Sequence, residues 1–175
     1  LGLQVLEREK AVFVENPNMQ PELSPHPYLL GRQLKPEARK DVIEIFDALD
    51  IIPTSMIDVS DGLASEILHI CKKSKVGANI YEEKLPVDSA VINLSKELNI
   101  DPTTCILNGG EDYELLFTVK PKDHDKLKKH LDFTSIGQIT KKKEAIKLIT
   151  RDKKSHRIIA QGWNNFNPNS SLKKN

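Results

Sequence analysis

The sequence contains no apolar run approaching the ~20 residues needed to cross a bilayer, no excess of one charge sign, and almost no cysteine or tryptophan. Each shortage removes a class of function. Lysine and arginine number 26 against 25 aspartates and glutamates, so no global field gathers nucleic acid or an anionic membrane. The two cysteines, Cys71 and Cys105, stand far apart among apolar neighbours, and read as two small core thiols in a reducing compartment rather than a disulfide. No charged leader followed by a short apolar core opens the chain, so the expected location is cytoplasmic. Histidine is sparse and scattered, and no Ser-His or Cys-His arrangement suggests covalent catalysis.

What is present is enough for one ordinary domain with tails, since 175 residues can bury a real core. Leu1 to Lys10 carries apolar residues at helical spacing with no N-cap before them, and the expectation is a chain cut from something longer. Ala11 to Pro27 holds four of the ten prolines and reads as a linker. Tyr28 to Leu34 suits a short helix. A clearer helix starts at Lys35-Pro36-Glu37 and ends near Asp50, with Val42, Ile45, Phe46 and Leu49 on one face.

Thr54 to Val59 has the residues of a short buried strand, and Leu63, Ile67, Leu68 and Cys71 then recur at helical spacing. Gly77 to Glu83 predicts a second strand, and Val87 to Leu98 a helix with Asp88 or Ser89 near its start. Leu115 to Val119 predicts a strand, followed by a polar helix from Pro121 to Leu131 with Leu127 and Leu131 as its inner stripe. Phe133 to Ile139, Ala145 to Ile149 and Arg157 to Ala160 predict short strands, with Lys141 to Lys143 and Arg151 to Ser155 as solvated hairpin tips. From Asn164 the Asn, Ser and Lys-rich tail is expected to be disordered.

Chemistry concentrates in two segments. In Met56-Ile-Asp-Val-Ser-Asp-Gly-Leu63, Asp58 and Asp61 flank Ser60 where strand gives way to helix. Mg²⁺ on nucleotide phosphates takes one or two carboxylates and fills its octahedron with water and phosphate, and the first amides of a helix favour anions. The same residues also suit plain turn and cap chemistry. In Leu107-Asn-Gly-Gly-Glu-Asp-Tyr-Glu-Leu115, paired glycines free the backbone and Glu111, Asp112 and Glu114 crowd together. That is either a glycine turn with solvated acids or a set of carboxylates that needs a cation or donors among them. Trp163, in Gly162-Trp-Asn-Asn-Phe166, either packs in the core or stacks on a flat ligand.

Taken in order, the Ser-Met-Ile-Asp-Val-Ser-Asp-Gly-Leu block, the Asn-Gly-Gly-Glu-Asp-Tyr-Glu-Leu-Leu-Phe-Thr-Val block and the closing Gly-Trp-Asn-Asn-Phe resemble thiamine-monophosphate kinase, from Leu1 to about Phe166. The resemblance implies the architecture shared with aminoimidazole ribonucleotide synthetase and selenophosphate synthetase: an α+β C-terminal domain with a mixed, largely antiparallel sheet covered on one face by helices. Residues 1–27 would be the end of an N-terminal-domain helix and a linker, 28–166 the C-terminal kinase domain, and 167–175 a tail.

The implied activity is transfer of the ATP γ-phosphoryl group to thiamine monophosphate, with Mg²⁺ as cofactor. Asp58 and Asp61 resemble the family's Mg²⁺ ligands, Ser60 its ATP contact, Glu111 its substrate contact, and Trp163 or Phe166 the aromatic against the thiamine moiety. The closing segment has Asn165 where the family commonly has His. The remaining metal and nucleotide ligands would belong to an N-terminal domain outside this chain, through which the complete protein would dimerise, and the chain alone would be inactive. Another ATP-dependent member of the superfamily, or a non-catalytic ligand-binding module that kept the fold, is the alternative reading.

Overall fold

A computed structural model describes residues 1–159, and the expectations for Ala160, the closing aromatics Trp163 and Phe166 and the tail lie outside the described residues. Among the described residues thirteen α-helices and β-strands follow one another. Helix α1 runs Gly2–Glu15, α2 Pro27–Leu34 and α3 Lys40–Ala48; strand β1 (Ser55–Asp58) leads into α4 (Leu63–Ser74) and β2 (Val76–Tyr81). Helices α5 (Ser89–Glu97) and α6 (Pro102–Asn108) precede β3 (Leu115–Thr118), α7 (Pro121–Leu127), β4 (Gly137–Lys141), β5 (Ile146–Ile149) and β6 (Ser155–Arg157). No helix among the described residues is long and apolar enough to cross a membrane.

The mixed α and β class with mainly antiparallel pairing holds, but the strands divide into two sheets. Strands β1 and β3 form an antiparallel pair, with Asp58 opposite Leu115. Strands β4-β2-β5-β6 form the other sheet, in which only β2 and β5 run parallel. Helix α4 explains the division: it leaves β1, packs against both β1 and β2, and returns the chain to a different sheet. Its buried stripe of Ala64, Ile67 and Cys71 meets Ala78 and Ile80 of β2 and Leu148 of β5 in the main apolar core. Ile67 is 3% exposed there, so Ile67→Ala is expected to destabilise the chain by about 2–5 kcal/mol through lost burial plus a cavity, read as a fall in the urea midpoint at unchanged slope.

Two further clusters place the helices that flank the acidic segments. Val5 of α1, Leu29 and Leu30 of α2 and Leu94 of α5 pack together. Val42 and Phe46 of α3 pack with Ile51 and Leu127, and Phe46, Phe117 and Phe133 make an aromatic trio with ring centroids 4.9, 5.8 and 5.6 Å apart. The offset and edge-on geometry of that trio is the arrangement ring quadrupoles favour.

Several boundaries differ from the sequence expectation. Helix α1 continues to Glu15, because Ala11-Val-Phe-Val-Glu15 contains no breaker and Asn16-Pro17 supplies the first. Helix α3 starts only at Lys40, after Lys35 to Arg39 has passed without regular structure, and Lys40 N donates to Ala38 O at 2.8 Å in a tight turn. Helix α6 was not foreseen, although Asp101-Pro102 is an N-cap followed by proline at the first helical position; the Asp101 carboxylate accepts from the Thr104 amide at 2.7 Å.

Helix α7 stops at Leu127, and Leu131 is fully exposed rather than part of an inner stripe. Phe133 joins the aromatic trio instead of a strand, so β4 begins four residues later at Gly137. Lys142–Glu144 is a short 3₁₀ turn joining β4 to β5, which flank β2 on opposite sides; only Arg151 to Lys154 forms a true hairpin tip, between β5 and β6. Cys71 and Cys105 are free thiols, and burial pushes both above the usual thiol range.

Candidate functional site

The two acidic segments, 50 positions apart from Asp61 to Glu111, lie against each other. Beyond Asp58 the chain leaves β1 but keeps exchanging backbone hydrogen bonds with the segment before β3. Val59 N donates to Glu114 O at 2.8 Å, Tyr113 N to Val59 O at 2.9 Å, and Glu111 N to Ser60 O at 2.7 Å. The pairing is an irregular continuation of the β1–β3 ladder, and it carries the Ser60-Asp61-Gly62 turn alongside Gly110 and Glu111.

Close approach explains the glycines. Gly62 caps α4 with φ of 110°, and a Cβ there would lie 3.0 Å from Leu107 O and 3.1 Å from the Asn108 backbone at the end of α6. A Cβ on Gly110 would lie 2.6 Å from Ser60 O. Alanine at either position separates the two segments. On the other side of the turn, Glu66 is 3% exposed and its carboxylate accepts the Asp61 amide at 3.1 Å. A glutamate one turn into a helix, reaching back to an amide ahead of the cap, satisfies an otherwise orphaned donor and sits favourably at the positive end of the helix dipole.

The Glu111-Asp112-Tyr113 segment is held in an unusual backbone conformation. Glu111 has φ of 64° and Tyr113 φ of 52°, left-handed values that cost a non-glycine residue about 1–3 kcal/mol each unless the surroundings impose them. Side chains from α2 and the approach to α3 help impose them. Arg32 donates to Asp112 O at 2.8 Å and pairs with Glu114 at 2.7 Å. Arg39 pairs with the other oxygen of Glu114 and grips Asp41 through two nitrogens, at 3.0 and 2.7 Å. Gln33 donates to the Glu111 carboxylate. The hydrogen bond from Arg39 holds Asp41 below the ordinary carboxylate range. Asp112 is pushed up, first by loss of water around it and also by Glu114, with Arg32 opposing.

Asp58 and Asp61 are both exposed, Ser60 is half-buried, and Glu111 is exposed. Glu111 and Asp112 line a broad groove together with Arg32, Gln33 and Arg39, whereas Asp58 and Asp61 stand outside its lining on the neighbouring surface. Among the described residues no group of three or more His, Cys, Asp or Glu is arranged to hold a metal by itself. The oxygens present do suit a partly hydrated hard cation that needs one or two carboxylates: exposed Asp58 ends β1 and exposed Asp61 lies three residues on in the turn, and beside that turn the Asn108 side-chain oxygen is buried without a hydrogen-bond partner among the described residues.

The sequence singles out Asp58, Ser60, Asp61 and Glu111, and the structure places them on two segments joined by backbone hydrogen bonds, with Glu111 alone in the groove lining. Sequence reasoning missed Arg32, Gln33, Arg39 and Glu66. Of these only Glu66 left a local signal, its capping distance from the Asp61-Gly62 turn. The arginines lie 75 to 82 positions from Glu114 and are recognisable only after folding.

The chain matches the model of a protein family described as AIR synthase related protein, C-terminal domain, over residues 22–149. It is 37% identical over 172 residues to a thiamine-monophosphate kinase of Buchnera aphidicola from Acyrthosiphon pisum, covering 94% of this chain and 48% of the relative. Its fold is similar to that of AaThiL complexed with AMPPCP and TMP, with TM-score 0.69 and 30% identity over 94% of this chain and 47% of the other. It also resembles the thiamine-monophosphate kinase of Stenotrophomonas maltophilia, with TM-score 0.64, 27% identity, and 89% and 48% covered. The chain therefore spans about half the length of the relatives it matches. With the strand-to-helix acidic turn, the glycine-acid segment folded onto it and a match over most of its length, this chain belongs to the AIR synthase related protein, C-terminal domain, family.

Proposed function

We propose that this chain is the C-terminal part of an ATP-dependent kinase that phosphorylates thiamine monophosphate to thiamine diphosphate. The observation that carries the reading is the 2.7 Å hydrogen bond from Glu111 N to Ser60 O, which sets the two acidic segments side by side. The similarity to thiamine-monophosphate kinases, and to AaThiL complexed with AMPPCP and TMP, supports the choice of substrates.

In this reading Asp58 and Asp61 hold Mg²⁺ through carboxylate oxygens, and Ser60 contacts ATP beside the α4 N-terminus. Bound there, Mg²⁺ would supply charge neutralisation to the triphosphate. Glu111 faces the groove and lies on the thiamine side. Trp163 and Phe166 are the candidates for an aromatic face against the thiazolium, where cation–π contact is favourable.

A terminal oxygen of the thiamine phosphate forms the new P–O bond as the bond between the γ-phosphorus and the ADP oxygen breaks, in line. A phosphate oxygen is already a nucleophile, so the chain's task is to position and neutralise rather than to remove a proton. The remaining Mg²⁺ and nucleotide ligands come from a preceding domain, to which residues 1–27 connect, through which the protein dimerises. Residues 28–166 form the kinase portion and 167–175 a tail. The protein works in the cytoplasm.

The separate positions of Glu111 in the groove and Asp58 and Asp61 outside it support a divided site. Glu111→Gln is therefore expected to raise KM for thiamine monophosphate about 10-fold or more, as loss of a carboxylate from a cation implies, while KM for ATP changes little. Steady-state kinetics in the full-length protein, each substrate varied in turn, reads this directly. A rise in KM for ATP alone would make the Gly110-Glu111-Asp112 segment a second metal-nucleotide element and overturn the division.

A further inference from the structure

We infer that Arg32 and Arg39 are positioning residues that act through Glu114 to hold the Glu111 to Tyr113 segment in its left-handed backbone form, and so set where the Glu111 carboxylate stands. The substrate-side consequence rests on the proposed kinase reading; the clamp itself does not.

The argument is geometric. Glu111 and Tyr113 both occupy the left-handed region, flanking Asp112, and such a backbone persists only where its surroundings over-determine it. Two backbone hydrogen bonds, from Glu111 N and Tyr113 N, tie it to the Val59-Ser60 edge, and a third, from Val59 N, reaches the next residue's carbonyl, Glu114 O. On the opposite side the tie is made by side chains, and both arginines converge on the same carboxylate. Glu114 receives Arg32 on one oxygen and Arg39 on the other, and Arg32 also donates to the Asp112 carbonyl between the two left-handed residues.

An isolated exposed pair contributes little, but this is a network of planar guanidinium forks, and Arg39 is itself fixed by two bonds to Asp41. The guanidinium carbons are carried by helix α2 and the residue before α3, whose apolar faces are anchored in two different cores. The clamp thus transmits the positions of two packed helices to one loop. The arginines are already matched by carboxylates, with Glu111 and Asp112 adding negative charge nearby, so an anion-binding role for them does not fit the charge around them.

The test uses Arg39→Ala, Arg32→Ala and Glu114→Gln, the last keeping size while removing charge, together with the Arg39→Ala/Glu114→Gln double variant. Amide hydrogen exchange on the 175-residue chain is expected to show Val59, Glu111 and Tyr113 exchanging about 10-fold faster in each variant, with Ala78 and Tyr81 of β2 unchanged. The double variant is expected to add little to Glu114→Gln alone, which already weakens the Arg39 pair together with the Arg32 pair, and to exceed Arg39→Ala by the Arg32 contribution. Unchanged exchange at the three loop amides, or equal acceleration at Ala78 and Tyr81 in all variants including Glu114→Gln, overturns the clamp.

In the full-length protein the same variants are expected to raise KM for thiamine monophosphate about 10-fold at nearly constant kcat, the signature of lost positioning rather than lost protein. Faster loop exchange with both constants unaltered overturns the positioning role. Should the unaltered full-length protein fail to phosphorylate thiamine monophosphate, the kinase reading falls, and the exchange result alone then decides the clamp.

Discussion

Asp58→Asn and Asp61→Asn, each made in the full-length protein, are expected to lower kcat for thiamine monophosphate phosphorylation by about 10²-fold or more while leaving the unfolding midpoint nearly unchanged. Both side chains are exposed, and neither belongs to an apolar cluster, so removing a charge there disturbs little packing. Each substitution would take one negative oxygen ligand from a cation that must offset phosphate charge as the transferred group separates. Turnover at saturating Mg²⁺ separates weaker metal binding from lost transition-state stabilisation. Near-normal turnover in both variants would remove the metal assignment. A fall in the unfolding midpoint that accounts for the lost activity would return the turn to a structural role.

The second large effect is the absence of turnover by the 175-residue chain on its own. Phosphoryl transfer concentrates several negative charges in one transition state and is driven almost wholly by positioning and electrostatics. The described residues offer two exposed aspartates three positions apart, at the end of β1 and in the turn after it, and no group of three or more metal-holding side chains, and the chain spans about half the length of its relatives. Formation of thiamine diphosphate from ATP by the purified chain, followed chromatographically, is expected to stay at background. Adding the remaining domain of the full-length protein in trans is expected to restore part of it. Turnover by the chain alone would mean that Asp58, Asp61 and their neighbours suffice, and would remove the proposed preceding domain from the chemistry.

How much of this was legible beforehand differs from element to element. Helix α4 was readable, because an apolar period of 3.6 is itself the physical cause of a buried face. Strand β1 was readable as a strand but not in its burial, since the expected buried strand alternates half-buried Ser55 and Ile57 with exposed Met56 and Asp58. The Asp58-to-Gly62 turn was readable because it lies where strand-type residues give way to the helical spacing of α4. Phe133 was read as part of a strand because aromatic residues favour strands. What removed it was a partner: stacking against Phe46, 5.8 Å away, which lies 87 positions earlier in the chain. Leu131 suffered the reverse fate, its helical spacing being correct but its helix ending at Leu127 before the leucine could be buried.

The sequence by itself therefore determined the α and β class, most elements, the free cysteines and the carboxylates of the candidate site, all of which follow from residue type and short-range spacing. Only the tertiary structure decided that the strands form two sheets and that Ser60 and Glu111 share a hydrogen bond. It alone decided that Arg32 and Arg39 meet at Glu114. Those side-chain and backbone contacts join residues 51 to 82 positions apart, and such pairs leave no periodic trace, because what selects them is the packing of α2, α3 and α4 into separate apolar clusters rather than any preference of the residues that finally touch.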